Sequence, residues 1–177
     1  MVYLVTGPRG SGKTQQMIDL ANEKVKTSNG NVVFIKKSHK DTYTVDFNIR
    51  VIRMADYPDV LTLEEFVGFL YGMAAGNHDI EAVFIDSVLK QANITLESLA
   101  AFLHKLNKIS TENNIDFYLS ISADKKDIPG IDSSDCTVVS YLLHLYFIDS
   151  HLYSKTVHSA IDCEPFFNSF IVLFSLR

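Results

Sequence analysis

Glycine, lysine and threonine lie between positions 7 and 14 in a spacing that suits a phosphate chain. The segment GPRGSGKT fits the pattern G-x-x-x-x-G-K-[ST], whose glycines let backbone N–H groups approach phosphate oxygens. An apolar run before it predicts a strand, and the periodic sequence after it predicts a helix with free N–H groups at its start. We therefore predict nucleotide phosphate contacts from Gly7, Pro8, Arg9, Gly10, Ser11, Gly12, Lys13, Thr14 and Gln15.

Two side chains of this loop and one distant carboxylate have distinct predicted roles. The Lys13 ammonium would contact the β- and γ-phosphates, and the Thr14 hydroxyl would coordinate Mg²⁺. Asp86 ends an apolar strand, and ligands bind at the carboxyl ends of strands in open α/β sheets. We predict Lys13 and Asp86 as catalytic residues, Thr14 and Asp86 as metal ligands, and ATP or GTP with Mg²⁺ as the bound groups.

The order of predicted elements favours an α/β fold with a mainly parallel sheet sandwiched by helices. Strands are predicted at 2–6, 32–35, 49–52, 82–86 and 115–122, and helices from about Gly12 to Thr27, after Thr62 and from near Thr95. Thr62 and Glu65 have the spacing of a capping box. Gly30 follows the first helix and suits a left-handed cap.

The composition limits the classes of function. The chain has 177 residues and 47% hydrophobic residues, which is enough for a well-packed core. A net charge of −5 gives no reason to expect nucleic acid binding, and no apolar run has the length of a membrane span. Two cysteines do not form a disulfide framework, so a cytoplasmic location is predicted. We predict a nucleotide-binding domain at 1–130 and an apolar extension at 131–177. For the two apolar runs of the extension, added strands of the sheet and a buried helix are alternatives.

Two further groups of residues have weaker patterns. Lys36, Lys37, His39 and Lys40 form a basic cluster after the second strand. A solvated loop, phosphate contact and contact with an acidic partner are the alternatives for this cluster. His144, His151 and His158 recur every seven residues but lack the close pairs of metal motifs, which argues against a metal site there.

Residues 1–130 resemble P-loop NTPases through the loop motif, the order of strands and Asp86. More narrowly, they are similar to small uncharacterised bacterial P-loop ATP-binding proteins, sometimes labelled twitching-motility ATPases. The segments that carry this similarity are 3–14, 32–35, 71–73, 85–86 and 117–122. The loop and the lysines after the second strand are also similar in layout to the thymidine kinase type of P-loop protein. The resemblance implies a P-loop NTPase-like fold that binds ATP. It also implies that the nucleotide- and metal-binding roles of the family apply to Lys13, Thr14, the loop glycines and Asp86.

The residue after Asp86 limits the expected chemistry. Many ATPases of this class have a glutamate there that polarises the attacking water, and this chain has Ser87. We expect Mg²⁺-dependent ATP or GTP binding with slow hydrolysis. The alternatives are a small-molecule or nucleoside kinase and a non-catalytic nucleotide-dependent switch or scaffold, with a protein partner or a second copy of the chain as its target. Other candidates for contact with the attacking water or the terminal phosphate are Asp41, Glu81, Ser122 and Asp124.

Overall fold

Six strands form one parallel sheet in the computed structural model, which describes residues 1–37, 44–123 and 136–139. In chain order they are β1 (Val2–Thr6), β2 (Asn31–Lys36), β3 (Arg50–Arg53), β4 (Ile80–Ile85), β5 (Asp116–Ile121) and β6 (Thr137–Val139). Their order across the sheet is β3-β2-β4-β5-β1-β6, and every neighbouring pair is parallel. The predicted α/β arrangement with a parallel sheet is confirmed.

Side-chain caps fix the starts of two of the three described α-helices, which are α1 (Lys13–Thr27), α2 (Leu63–Gly76) and α3 (Leu96–Asn113). The predicted capping box of α2 is present, because Glu65 N donates to Thr62 Oγ1 at 3.2 Å and Thr62 N donates to Glu65 Oε2 at 2.8 Å. Thr95 and Ser98 form an equivalent box at the start of α3. Such boxes satisfy backbone donors that a helix start leaves free, so both starts could be predicted from sequence.

Helices cover both faces of the sheet. On one face α1 packs on a core that includes Val5, Phe34 and Phe84. On the other face α2 and α3 share a core in which the rings of Phe66 and Phe102 stack at 6.0 Å. The central strands are thus buried on both sides, which explains their nearly continuous apolar sequences.

Gly30 is required for a reason other than the predicted left-handed cap. Its φ is not positive, and α1 is followed by Ser28 in an extended conformation. A Cβ atom at Gly30 would meet the backbone oxygen of Asp79 and would lie 2.8 Å from Glu81 Cγ. Gly30 N also donates to Glu81 Oε1 at 2.9 Å. The close approach of β2 to the start of β4 therefore excludes a side chain here.

This contact gives a stability prediction with a matched control. Gly30→Ala is expected to lower the free energy of unfolding by about 1–3 kcal/mol, as overpacking does. Gly72→Ala is expected to raise it by about 0.5–1 kcal/mol, because alanine favours a helix interior and its Cβ has nothing within 4 Å. Urea denaturation of the two variants measures both changes. Equal stability of Gly30→Ala and the wild type would contradict the close contact.

The predicted extension at 131–177 is described only at 136–139. These residues include β6, which pairs with β1 at the edge of the sheet. The compact unit that contains the described residues runs from Met1 to Tyr141, past the predicted boundary at residue 130, and the division itself stays a prediction. Within the described part of the chain, no helix has both the length and the apolar character needed to cross a bilayer.

Candidate functional site

The loop between β1 and α1 depends on glycine for its conformation. Gly10 and Gly12 have φ angles of 84° and 82°, in the left-handed region that other residues rarely adopt. Gly12 is also the N-cap of α1. Because it has no side chain, no side chain of the N-cap accepts from the first free N–H groups of the helix. Gly7 N donates to Ala123 O at 3.1 Å, which ties the start of the loop to the residues after β5. The loop thus leads directly into α1, whose positive dipole end and first free N–H groups lie next to Gly12.

Lys13 folds back over this loop. Its ammonium donates to Gly7 O at 2.9 Å, to Pro8 O at 2.7 Å and to Ser11 Oγ at 3.3 Å. The side chain is only 8% exposed. Burial lowers the pKa of Lys13 below its ordinary value, while Asp86 acts in the opposite direction. The charge is therefore held at the centre of the loop by carbonyl and hydroxyl oxygens, and a phosphate oxygen is a stronger partner for it than either.

Thr14 and Asp86 meet although they are 72 residues apart in the sequence. The Thr14 hydroxyl lies 3.2 Å from both carboxylate oxygens of Asp86. β1 and β4 are separated in the sheet only by β5, so the residues that follow their carboxyl ends are close in space. The two sequence-predicted metal ligands therefore form one cluster of oxygen atoms beside Lys13.

Ser120 belongs to this cluster and was not predicted. It lies near the end of β5, between the two strands that carry the predicted residues. Its hydroxyl donates to Asp86 Oδ1 at 2.7 Å and accepts from Ser87 N at 2.6 Å. Ser120 thus orients the Asp86 carboxylate and holds Ser87 in its left-handed conformation, with φ 53° and ψ 54°. The one sequence signal was a small polar residue within an otherwise apolar strand, two residues before the predicted Ser122.

Two more side chains fix the turn that follows Asp86. Gln91 is buried, and its Nε2 donates to Asp86 O at 3.0 Å. The Lys37 ammonium donates to Lys90 O, so the end of β2 also supports this turn. Gln91 Oε1 is buried and has no partner among the described residues. Side chains therefore hold both the backbone carbonyl and the carboxylate of Asp86.

The remaining candidates lie apart from this cluster or outside the described residues. Arg9 is exposed, and Gln15 Nε2 donates to Asp19 Oδ1 along α1. Glu81 accepts from Gly30 N at the opposite end of β4 from Asp86, so it is not placed to contact the attacking water. Ser122 is exposed after β5. The predicted residues outside the described part of the chain are His39, Lys40, Asp41, Asp124 and the three histidines of the extension.

The donor set of the cluster is small. Among the described residues, no three His, Cys, Asp or Glu side chains lie together as a group that could hold a metal ion. The Thr14–Asp86 pair offers one hydroxyl and two carboxylate oxygens, which are hard donors of the type that Mg²⁺ prefers. Because Mg²⁺ usually keeps several waters and binds protein through one or two side chains plus substrate phosphates, this small set fits it.

Comparison with known proteins adds no assignment. No protein-family model matches the chain, and no curated protein matches it at a significant level.

Proposed function

We propose that this chain is a P-loop NTPase that binds ATP or GTP with Mg²⁺ and hydrolyses it slowly. The observation that carries the proposal is the contact of Thr14 with Asp86 at 3.2 Å. A chance match to the loop motif gives no reason for a strand-terminal aspartate to lie against the threonine of that motif. A phosphate-bound Mg²⁺ needs both side chains at one place.

Three features of the loop support triphosphate binding. Gly10 and Gly12 turn the backbone sharply, and α1 starts directly at Lys13, so the first N–H groups of the helix have no helical partners. The Lys13 ammonium lies against the loop carbonyls Gly7 O and Pro8 O, and it would exchange these partners for phosphate oxygens. The chain resembles P-loop NTPases at these same positions.

Thr14 and Asp86 are the residues that would hold Mg²⁺. When bound, the ion would neutralise charge on the phosphates. Ser120 fixes one carboxylate oxygen of Asp86 by donating to it at 2.7 Å. Gln91 fixes the Asp86 backbone through its carbonyl at 3.0 Å. These two contacts set the orientation of the carboxylate before any ligand binds, which reduces the cost of ordering it.

Slow hydrolysis is proposed from the position after Asp86. Ser87 has no carboxylate, and its N–H is already bonded to Ser120 Oγ. Glu81 is at the opposite end of β4. A positioned base contributes about 10²- to 10⁴-fold to a rate, so we expect turnover slower than that of a typical enzyme by about this factor. Release of phosphate from ATP, measured under single-turnover conditions, tests this expectation.

A nucleotide-dependent switch is the second candidate, because one segment next to Asp86 has an unusual backbone. Ser87, Ala92 and Asn93 are non-glycine residues with φ between 44° and 53°. Such conformations cost free energy and concentrate at functional and switch segments. Tight nucleotide binding without phosphate release would favour the switch over the NTPase. Transfer of phosphate only to an added acceptor would favour the kinase alternative.

A thermal-denaturation panel tests the binding proposal directly. The purified chain is heated with ATP, GTP or ADP, each with and without Mg²⁺. A ligand at one hundred times its Kd stabilises the folded state by about 2.7 kcal/mol. For a domain of this size we expect an increase in Tm of about 5–10 °C. No increase with any purine triphosphate, from protein that unfolds cooperatively, would contradict the proposal.

A further inference from the structure

The turn 87–93, which follows the carboxyl end of β4, has a strained backbone. Three of the four non-glycine residues with positive φ in the described part of the chain lie in it. They are Ser87, Ala92 and Asn93, with φ of 53°, 44° and 52°. Left-handed backbone is unfavourable for a residue with a Cβ atom, and alanine lacks the polar side chain that lets asparagine tolerate it. The contacts of this turn must therefore offset a conformational cost.

One buried hydroxyl joins the inner end of the turn to the predicted metal ligand. Ser120 Oγ donates to Asp86 Oδ1 at 2.7 Å and accepts from Ser87 N at 2.6 Å. Ser120 is 1% exposed, so solvent does not compete for either bond. A hydroxyl that donates to a charged acceptor becomes a better acceptor itself. The strength of the bond from Ser87 N therefore depends on the position of the Asp86 carboxylate.

The outer end of the turn contacts the start of α2. Asn93 Nδ2 donates to Leu61 O at 3.1 Å. Leu61 N donates to Glu65 Oε2 at 2.9 Å, and the same carboxylate oxygen accepts from Thr62 N in the capping box of α2. Leu61 is 59% exposed, so this surface segment has little apolar packing to hold it. The contact with Asn93 therefore contributes directly to the order of the segment.

The middle of the turn connects its two ends. Lys90 N donates to Ser87 O at 2.8 Å, and Ile94 N donates to Gln91 O at 3.0 Å. Val88 and Ile94 are buried in the core that α2 and α3 share. Gln91 is buried too, but its Oε1 has no partner among the described residues, which costs free energy. A turn that is both strained and incompletely bonded favours a second arrangement of similar free energy.

We propose that the turn 87–93 is a conformational switch that couples nucleotide binding at loop 7–14 to the segment 61–65 at the start of α2. This inference rests on the proposed nucleotide binding and names the region that responds to it. The coupling runs through printed side-chain contacts at both ends of the turn and through its own backbone hydrogen bonds between them. Bound nucleotide with Mg²⁺ is expected to order the start of α2.

The two arrangements of the switch differ in the partner of one backbone N–H. In the arrangement of the structure, Ser120 bridges Asp86 and Ser87. A ligand held by Asp86 favours this arrangement, because it fixes the carboxylate to which Ser120 donates. In the other arrangement Ser87 N leaves Ser120 and the turn relaxes from its left-handed conformation. Asn93 then leaves Leu61 O, and the start of α2 loses that contact.

Amide hydrogen exchange of the whole chain, with and without ATP and Mg²⁺, tests the coupling. In the wild type we expect exchange at 61–65 and 87–94 to slow by about 2- to 12-fold, the effect of one hydrogen bond. Exchange at 24–28, the last residues of α1 and its cap, should not change, because these residues lie at the helix end away from loop 7–14. They report general stabilisation by the ligand.

Two matched variants test the outer contact. Asn93→Asp keeps the size of the side chain and its tolerance of left-handed backbone, but the carboxylate cannot donate to Leu61 O. In this variant we expect ATP with Mg²⁺ to have no effect on exchange at 61–65. Asn113→Asp makes the same chemical change at the end of α3, where Asn113 Nδ2 donates to Ile109 O at 2.9 Å. It should behave as the wild type does.

The outcomes separate this inference from the proposed function. If ATP with Mg²⁺ slows exchange at loop 7–14 but not at 61–65, the coupling is wrong and nucleotide binding stands. Slowing at 61–65 that persists in Asn93→Asp would also overturn it, and so would equal slowing at 24–28. If exchange changes nowhere, both proposals fail. Slowing at 61–65 that Asn93→Asp abolishes and Asn113→Asp retains supports the inference.

Discussion

Replacing Lys13 with alanine is expected to weaken triphosphate binding by about 10- to 150-fold, which corresponds to loss of a hydrogen bond to a charged group worth about 1.5–3 kcal/mol. The residue is buried over the loop, and the present partners of its ammonium are the neutral oxygens Gly7 O, Pro8 O and Ser11 Oγ. Exchange of such partners for phosphate oxygens strengthens each bond. Alanine removes this gain and leaves the loop N–H groups as the remaining phosphate contacts.

The measurement is titration of ATP with Mg²⁺ into the variant and into a matched control. Lys26→Ala removes a lysine from the far end of the same helix, where it pairs with Glu23 at 2.7 Å. We expect the control to bind as the wild type does. Lys13 also supports the loop in this structure, so urea denaturation of Lys13→Ala is measured alongside. A variant with wild-type stability and wild-type affinity would show that the loop does not bind phosphate through its lysine.

The elements of the fold could be predicted from sequence because their signals are local. The apolar runs of β1, β2 and β4, the capping box at Thr62 and Glu65, and the glycines of loop 7–14 are each contained in short segments. Strand ends differed from prediction by one or two residues, as at β4, which begins at Ile80 instead of position 82. The first and last residues of a strand depend on the neighbouring strands that it pairs with, and not on its own sequence alone. Gly30 was expected for a backbone angle but is required by contact with Asp79, a distant segment that no local pattern reveals.

In the candidate site too, residues marked by a local sequence pattern could be predicted, and residues brought there by the fold could not. Lys13, Thr14 and Asp86 could be predicted because a motif and a strand end mark them. Ser120 and Gln91 could not be predicted. Ser120 contacts Asp86 because β5 lies between β1 and β4 in the sheet, and the order of strands is a property of the whole fold. Gln91 and Lys37 hold the turn after Asp86 through backbone oxygens, and neither contact has a sequence signature.

Replacing Asp86 with asparagine is expected to change nucleotide binding in opposite directions with and without Mg²⁺. Asparagine keeps the shape of the side chain, and its oxygen can still accept from Ser120, which now donates at 2.7 Å. Its amide lies where Thr14 now donates, and the Thr14 hydroxyl can rotate to accept from it. The main change is therefore loss of one negative charge. With Mg²⁺ we expect ATP affinity to fall by about 10- to 150-fold, the loss of a charged contact to the ion and its waters.

Without Mg²⁺ the same substitution removes a carboxylate that repels phosphate, so the variant is expected to bind ATP at least as tightly as the wild type. Titrations of both proteins, with Mg²⁺ and with a chelator, give the four affinities required. Asp19→Asn is the matched control, because it makes the same chemical change on α1 at a residue whose contact is Gln15. Equal losses with and without Mg²⁺ would indicate that Asp86 only supports the structure. The crossover of affinities is a specific consequence of a carboxylate that binds the cation and not the nucleotide.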